Sequence, residues 1–188
     1  IADDYFMCRV LRSLLEERIS LRNILSIYQS VIDFDYIVAD GIFDIVFDDR
    51  LTTWQPPDKN WLRDPDNYAD FARLGLKDYI SSSISGNSNS LSVFLLEQHT
   101  EKEITIANDP DEDFISRFLE QIEIAIEENG NFIYPILTAT ETRKKLWRIM
   151  QRRFPGMRVL SYQELSSSMN ITTIKRIAMD DITVQNNV

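Results

Sequence analysis

The sequence is poor in the residues that build metal, nucleophilic and disulfide sites. Its 188 residues include one cysteine, Cys8, and one histidine, His99. A lone cysteine forms no intrachain disulfide, which is the usage expected of a reducing, intracellular setting. Metal sites draw on several histidine, cysteine or carboxylate ligands at defined spacing, so no metal site is predicted. We predict His99 to be a surface loop residue and Cys8 a small buried filler.

Glycine is also scarce, and this bears on phosphate binding. The five glycines form neither a G-x-G-x-x-G nor a Walker pattern. A βαβ pattern over 132–161 carries Thr138-Ala139-Thr140 where a dinucleotide-binding turn needs glycines. No cofactor and no catalytic residue are therefore predicted.

Positive charge and long apolar runs are lacking as well. The formal net charge is -10, which argues against nucleic acid as the main partner. No apolar run approaches the roughly 18 residues that span a membrane, and no signal peptide is visible. The chain begins Ile1-Ala2-Asp3 without a methionine, so we expect a segment of a longer protein. What the sequence does contain, 44% hydrophobic and 11% aromatic residues, suffices for a core.

Two helices are predicted at the start of the chain. Residues 3–17 place apolar side chains at helical spacing, and Ser20 is suited to cap a second helix. The buried stripe predicted for that second helix consists of Leu21, Ile24, Leu25, Tyr28, Val31 and Ile32.

Residues 33–70 are rich in acids, with ten acidic residues against three basic ones. Asp40-Gly41 lies between the apolar runs 36–38 and 42–47, which predicts a β-hairpin; a continued helix is the competing interpretation. Asp64-Pro65 then predicts the capped start of a helix over about 65–83. The serine-rich stretch 81–90 is interpreted as a flexible connector between domains.

The second half alternates strand and helix patterns. The predicted elements are a strand at 91–96, a strand or helical turn at 103–107, a helix at 111–129 capped by Asp111 and stopped by Gly130, a strand at 132–137, a helix from Thr140 to about 154, a strand at 157–161 and a last short element near 171–177. Strand–helix–strand with short loops predicts a parallel pair.

The fold class that follows is α+β or α/β. A mainly helical subdomain at 1–84, with an acidic insertion near 33–60, precedes a small α/β subdomain at 85–178 with a βαβ unit, and 179–188 is expected to be a tail.

The helix at 140–154 concentrates basic residues: Arg143, Lys144, Lys145, Arg148, Arg152 and Arg153. Two interpretations stay open. One is a solvated helix face, the other a basic docking surface on an otherwise acidic protein. We predict Arg143, Lys144, Arg148 and Arg152 to bind partners. Among the first helices, Arg9, Arg12, Arg18 and Arg22 are candidates for contacts between copies, with plain solvated charge as the alternative.

Three segments carry a resemblance to a known family. They are Leu14-Leu15-Glu16-Glu17-Arg18-Ile19-Ser20-Leu21-Arg22-Asn23, Pro135-Ile136-Leu137 with Arg143 followed by Arg153-Phe154-Pro155-Gly156, and Val159-Leu160-Ser161-Tyr162-Gln163-Glu164-Leu165. In this order they resemble the motifs of the type III secretion export-gate family, and they are most similar to its injectisome branch. The acidic segment 33–53 is longer than the family's connection there, and Ser166-Ser167-Ser168 stands where a proline is common.

The resemblance implies a piece of the cytoplasmic half of an integral inner-membrane protein, covering the last two of four subdomains. It implies a nine-membered ring of copies that receives chaperone–substrate complexes, the gatekeeper and the stalk of the associated ATPase. It implies no catalytic residue. The alternatives are a small α/β hydrolytic enzyme that uses carboxylates or His99, and a monomeric soluble adaptor.

Overall fold

The computed structural model describes residues 3–40, 64–86, 88–106 and 110–179. The chain divides into two compact units, Ile1–Ile80 and Ser81–Val188. The segment 41–63, which holds most of the predicted acidic insertion and the second half of the predicted hairpin, lies outside the described residues, as does 180–188 of the predicted tail.

The first unit consists of helices. They are α1 (Asp4–Glu16), a 3-10 turn (Leu21–Asn23), α2 (Ile24–Asp40), α3 (Pro65–Gly75) and the start of α4 (Lys77–Ser85). The predicted caps are confirmed: the Ser20 hydroxyl accepts from Arg22 N at 3.3 Å, and the Asp64 carboxylate accepts from Asp66 N at 3.1 Å. Each cap satisfies a backbone donor that the helix itself leaves unpaired.

Helix α3 holds the first unit together because it packs against both α1 and α2. The Tyr68 ring meets Phe6 of α1 and Phe34 of α2 edge-on, with centroid distances of 4.8 and 4.7 Å. This edge-to-face geometry is the favoured one for aromatic pairs. Arg73 of α3 also forms a buried ion pair with Glu17, at 2.9 Å and with 3% of each side chain exposed.

The predicted hairpin is wrong in its first half, because residues 36–38 continue α2. The predicted stripe of α2 is also largely wrong. The buried positions are Ile27, Ser30, Val31 and Phe34. These recur every three or four residues and face α3, so the helical spacing that competed with the hairpin prevails.

Two predictions near the boundary between the units need correction. The helix expected over about 65–83 is interrupted at Leu76, where α3 ends and α4 begins. Residues 81–85 of the predicted flexible connector belong to α4. Ser81 is buried, and its hydroxyl accepts from Ser166 N at 2.8 Å, which explains why this serine is ordered rather than a linker residue.

The second unit is a parallel sheet with helices. Its elements are β1 (Ser90–Leu96), α5 (Gln98–Ile106), α6 (Glu112–Glu128), β2 (Ile136–Thr138), α7 (Thr140–Met150), β3 (Val159–Ser161) and β4 (Asn170–Ile177). The strand order is β3-β2-β1-β4, and every described pairing is parallel. The predicted parallel pair at 132–161 is therefore confirmed, and so is the predicted fold class.

Several local predictions in this unit hold and others fail. Asp111 caps α6 through a 2.6 Å bond from Phe114 N, and Gly130 follows the helix with a positive φ of 72°, as predicted. Helix α5 runs from Gln98 to Ile106, so the predicted element at 103–107 is helical up to Ile106. His99 lies on the same helix and not in a loop. The strand expected from Phe132 starts only at Ile136. Helix α7 is preceded by Ala139, so Thr140 is not its cap.

The core of the second unit lies between the sheet and its helices. Its fully buried members include Phe94, Ile104, Phe118, Ile122, Ile136, Leu146 and Met150. Within this unit Arg143 and Glu164 form a second buried ion pair, with Arg143 Nε 3.1 Å from Glu164 Oε1 and 0% and 1% of the side chains exposed. Among the described residues, no helix has the length and apolarity required to cross a membrane.

The contact between α2 and α3 gives a first prediction. An added Cβ on Gly75 would collide with Ser30 Oγ, whereas Ser30 Cβ would lie 3.4 Å away, at ordinary contact distance. We expect Gly75→Ala to lower the free energy of unfolding by about 1–3 kcal/mol through overpacking. In a Ser30→Ala background the same change should be neutral or stabilising by up to about 1 kcal/mol, since alanine favours helix. Urea unfolding of the four chains measures both values, and an equal loss in both backgrounds would reject the collision.

The buried ion pair of the second unit gives another prediction. Glu164→Gln keeps the shape of the side chain and removes its charge, which takes away the carboxylate that pairs with the buried Arg143 guanidinium. We expect a loss of about 3–5 kcal/mol in unfolding free energy. Amide hydrogen exchange of β2 and β3 measures it in this unit alone.

The matched control is Glu112→Gln, the same change in the exposed pair that Glu112 forms with Arg152. There solvent screens both charges, so exchange in β2 and β3 should stay near that of the unchanged chain. Equal effects of the two substitutions would show that burial of the Arg143 pair contributes nothing.

Candidate functional site

Arg143 is not part of a docking surface, contrary to the sequence-based prediction. It begins the second turn of α7 and points into the unit, where its whole side chain is buried against Glu164. Glu164 lies in the 3-10 turn Tyr162–Glu164 that follows β3, and its other carboxylate oxygen is 3.4 Å from Ser161 N. The pair thus ties α7 to the end of β3, which is a structural role.

Other basic groups around α7 also contact their own unit. Lys145 Nζ donates to the Thr105 carbonyl at 2.6 Å. Arg152 donates to Glu112 of α6 at 2.9 Å, and Arg153 pairs with Glu123 of the same helix. The acidic side of α6 therefore neutralises much of the charge that the sequence concentrates after residue 140.

The surface of α7 and of the turn after it carries a narrower set of basic groups. Lys144 is half-buried with its ammonium 4.9 Å from the centre of the Trp147 ring, and Arg148 is exposed. These two residues are four positions apart and so share one side of the helix, while Arg152, which is exposed and pairs with Glu112, lies just beyond the helix end at Met150. We call Lys144, Arg148 and Arg152 the α7 basic strip.

The carboxyl edge of the parallel sheet is where α/β domains commonly bind ligands. Here the start of α7 is taken up by a carboxylate of the chain itself. Glu101 Oε1 accepts from Ala139 N and from Thr138 Oγ1, both at 2.8 Å. A glutamate from α5 thus satisfies the N–H of Ala139, the residue that precedes α7, at the place where a bound phosphate would compete with it.

Tyr162 stands at the same edge. Partial burial raises the pKa of its hydroxyl above the ordinary value, the Glu101 carboxylate raises it further, and Arg176 acts in the opposite direction. The tyrosine is therefore a neutral hydroxyl at physiological pH. In the part of the chain that the structure describes, no three His, Cys, Asp or Glu side chains are grouped to hold a metal ion.

The predicted interface arginines of the first unit are all at the surface. Arg9, Arg12, Arg18 and Arg22 are exposed, and Cys8 is exposed too, so it is not the buried filler that the sequence indicated. Arg18 has a left-handed φ of 60° and ends α1, with Ile19 N donating back to Leu14 O at 2.9 Å. On α1 itself, Arg9 and Arg12 share the outward side with Tyr5, which is 74% exposed.

A second surface of the first unit was not predicted. Leu25, Tyr28, Ile32 and Tyr36 lie along the side of α2 turned away from α3, and we call them the α2 outer face. Sequence reasoning placed Leu25, Tyr28 and Ile32 in the core. The signal that marks them as a surface is that α2 is apolar on two sides, and one protein layer can cover only one of them.

Comparison with known proteins shows where this chain belongs. It is 24% identical over 181 residues to protein HrpC2 of Xanthomonas euvesicatoria, covering 90% of this chain and 24% of that protein. It is likewise 24% identical over 186 residues to low calcium response locus protein D of Yersinia pestis, covering 92% of this chain and 23% of the other. The chain thus spans about a quarter of the length of the curated relatives it matches.

Solved structures share the fold. CdsV of Chlamydia pneumoniae superposes with a TM-score of 0.70 at 23% identity, over 93% of this chain and 46% of CdsV, and it has also been solved in a complex with CdsO. The nonameric SctV-C of EPEC gives a TM-score of 0.69 at 18% identity, over 92% of this chain and 48% of that one. Residues 5–170 match the FHIPEP family. The chain therefore belongs to the FHIPEP family, and its resemblance to the C-terminal domain of type III export-gate proteins is confirmed.

Proposed function

We propose that this chain is the cytoplasmic ring-forming and docking module of a bacterial type III protein export gate, at the cytoplasmic face of the inner membrane. Copies of the full-length protein form a nine-membered ring, anchored in the membrane by its N-terminal part. The ring receives chaperone–substrate complexes, the gatekeeper and the ATPase stalk. The observation that carries the proposal is the family match over residues 5–170. The fold shared with the nonameric SctV-C supports it.

The internal contacts of the second unit favour a scaffold over a hydrolase. Among the described residues its most buried charged groups, Arg143 and Glu164, form an ion pair with each other, and Glu101 accepts hydrogen bonds from Thr138 and Ala139 just before α7. Charged groups employed in this way hold elements together, whereas a catalytic carboxylate has to face a substrate. We therefore assign the chain no enzymatic role.

For contacts between copies we propose the exposed arginines Arg9, Arg12, Arg18 and Arg22. For docking of partners we propose the α7 basic strip, without Arg143. Both surfaces include exposed charges, and interactions between exposed charges weaken as salt screens them.

Ring formation is tested by native mass spectrometry of this chain together with its natural upstream subdomains. We expect nonamers at low salt and a shift toward monomers between about 0.1 and 0.5 M salt. The reason is that the Debye length is about 10 Å at 0.1 M and becomes shorter as salt is added. Arg9→Glu with Arg12→Glu should raise the assembly midpoint, the protein concentration at which half of the chains are assembled, at least tenfold. Lys102→Glu, a charge reversal on exposed α5, serves as the control. A chain that stays monomeric would refute the proposed ring. Assembly that does not respond to salt would refute the proposal that the arginines form the contacts between copies.

Docking is tested on the second unit's surface. We expect Lys144→Glu with Arg148→Glu to weaken binding of the chain to the cognate gatekeeper and chaperone–substrate complexes at least tenfold, because charge reversal repels an acidic partner surface. Pull-down followed by titration calorimetry measures this, again against Lys102→Glu. Binding that stays the same in the double variant would eliminate the α7 basic strip as the docking surface.

A further inference from the structure

Helix α2 carries more apolar surface than it buries against the described residues of its unit, 3–40 and 64–80. On the side facing α3, Ile27, Val31 and Phe34 are at most 3% exposed. On the opposite side the α2 outer face leaves large fractions in solvent: Leu25 83%, Tyr28 43%, Ile32 58% and Tyr36 71%. The four are spaced by three, four and four residues, so they form one continuous stripe. Single exposed apolar residues are ordinary, but a contiguous stripe with two tyrosines is typical of a protein interface.

The charge on α2 narrows the choice of partner. From Ile24 to Asp40 the helix has three acidic residues and no basic one. Asp33 is exposed beside the stripe, next to Ile32, and accepts a 2.8 Å bond from the Gln29 amide. A partner that buries the stripe must bring apolar side chains together with positive charge, because an acidic partner would be repelled.

The outward side of α1 has this composition. It presents Arg9 and Arg12 together with Tyr5 and Leu15, which are 74% and 53% exposed, and with Cys8. We call Tyr5, Cys8, Arg9, Arg12 and Leu15 the α1 outer surface. Another surface of the same unit thus matches the stripe on α2 in apolar content. Its Arg9 and Arg12 carry the charge opposite to Asp33, and the exposed Glu16 lies one turn after Arg12.

The two surfaces cannot satisfy each other within one chain. Helix α3 packs against both α1 and α2 and separates them, with Tyr68 between Phe6 and Phe34. The outer sides of α1 and α2 are thus the sides that do not pack against α3. Two different complementary surfaces on opposite sides of one unit are the arrangement of a heterologous contact, which repeats from copy to copy and closes into a ring when the rotation allows.

We propose that the α2 outer face of one copy packs on the α1 outer surface of the next copy. Leu25, Tyr28, Ile32 and Tyr36 are the buried anchors, and Arg9 and Arg12 face the acidic flank at Asp33. The inference rests on the proposed ring and adds to it the pair of helix faces that meet. It also assigns the ring contact an apolar centre, with the arginines at its rim.

The single native cysteine makes the contact testable by cross-linking. Ile32→Cys places a second thiol on the α2 outer face of a chain whose other thiol is the exposed Cys8 of the α1 outer surface. Under mild oxidation, the chain with its natural upstream subdomains should give a ladder of covalent dimers, trimers and higher species. Changing Cys8→Ser as well should abolish the ladder, and Ile106→Cys, at an even more exposed isoleucine of α5, should not produce it.

The same sample, examined by native mass spectrometry, separates this inference from the proposed function. Rings without the ladder would overturn the pairing of α1 with α2 and leave the ring standing. A covalent dimer that persists after Cys8→Ser would mean that α2 meets α2, which also overturns the proposal. No assembly at all would reject both. A monomer band carrying an intrachain disulfide would show that the outer sides of α1 and α2 approach each other within one chain, and it would also overturn the proposal.

A second arm keeps the test independent of disulfide geometry. Ile32→Asp removes apolar contact and adds an acid to an acidic flank, so it should raise the assembly midpoint at least tenfold, whereas Ile106→Asp should not. Asp33→Arg should also weaken assembly, and Arg12→Glu in the same chain should restore part of it, because the pair then attracts with reversed signs. Additive losses without any restoration would count against the proposed facing of Arg12 and Asp33.

Discussion

The first unit depends on one constraint: α3 has to pack against α1 and α2 at once. Tyr68 shows how this is done, because its ring lies between Phe6 and Phe34 while its hydroxyl donates to Asp35 at 3.0 Å. A helix with a neighbour on each side fixes the rotation of both neighbours. It thereby decides which side of α2 is buried and which is left for another molecule. The surface chemistry of this unit is a consequence of its core.

The second unit differs from the first in that it holds charged side chains inside a parallel-sheet domain. Its carboxyl edge collects polar groups from the ends of several strands, as parallel topology requires. Glu101 of α5 accepts a hydrogen bond from the residue before α7, and Arg143 of α7 pairs with Glu164 in the turn after β3. These contacts tie α5, α7 and that turn into one framework. A framework built in this way presents a fixed surface, as the docking role proposed above requires.

The motifs that resemble the export-gate family turn out to be structural for the same reason. Glu17 of the first motif pairs with Arg73 in a buried contact, and Arg143 of the second pairs with Glu164 of the third. Removing one member of such a pair takes a counter-charge away from a buried group, which is far costlier than losing an exposed pair. Surfaces that meet partners carry no such penalty and are free to differ among proteins of one fold.

The sequence by itself determined what depends on near neighbours in the chain. Helix starts at Asp64-Pro65 and Asp111, the stop at Gly130 and the parallel βαβ unit follow from capping and periodicity, because a side chain reaches a backbone group two or three residues away in any context. The family, too, was recognisable from three motifs in order.

Only the tertiary structure decided what depends on distant residues. Helix α2 is apolar on two sides, so its pattern could not tell the core side from the outer one until α3 was placed against it. Arg143 belongs to the same basic run of sequence as the half-buried Lys144 and the exposed Arg148, and only Glu164, brought beside it by β3, explains its burial. Burial is a property of what lies opposite a side chain, and a linear sequence does not state what lies opposite.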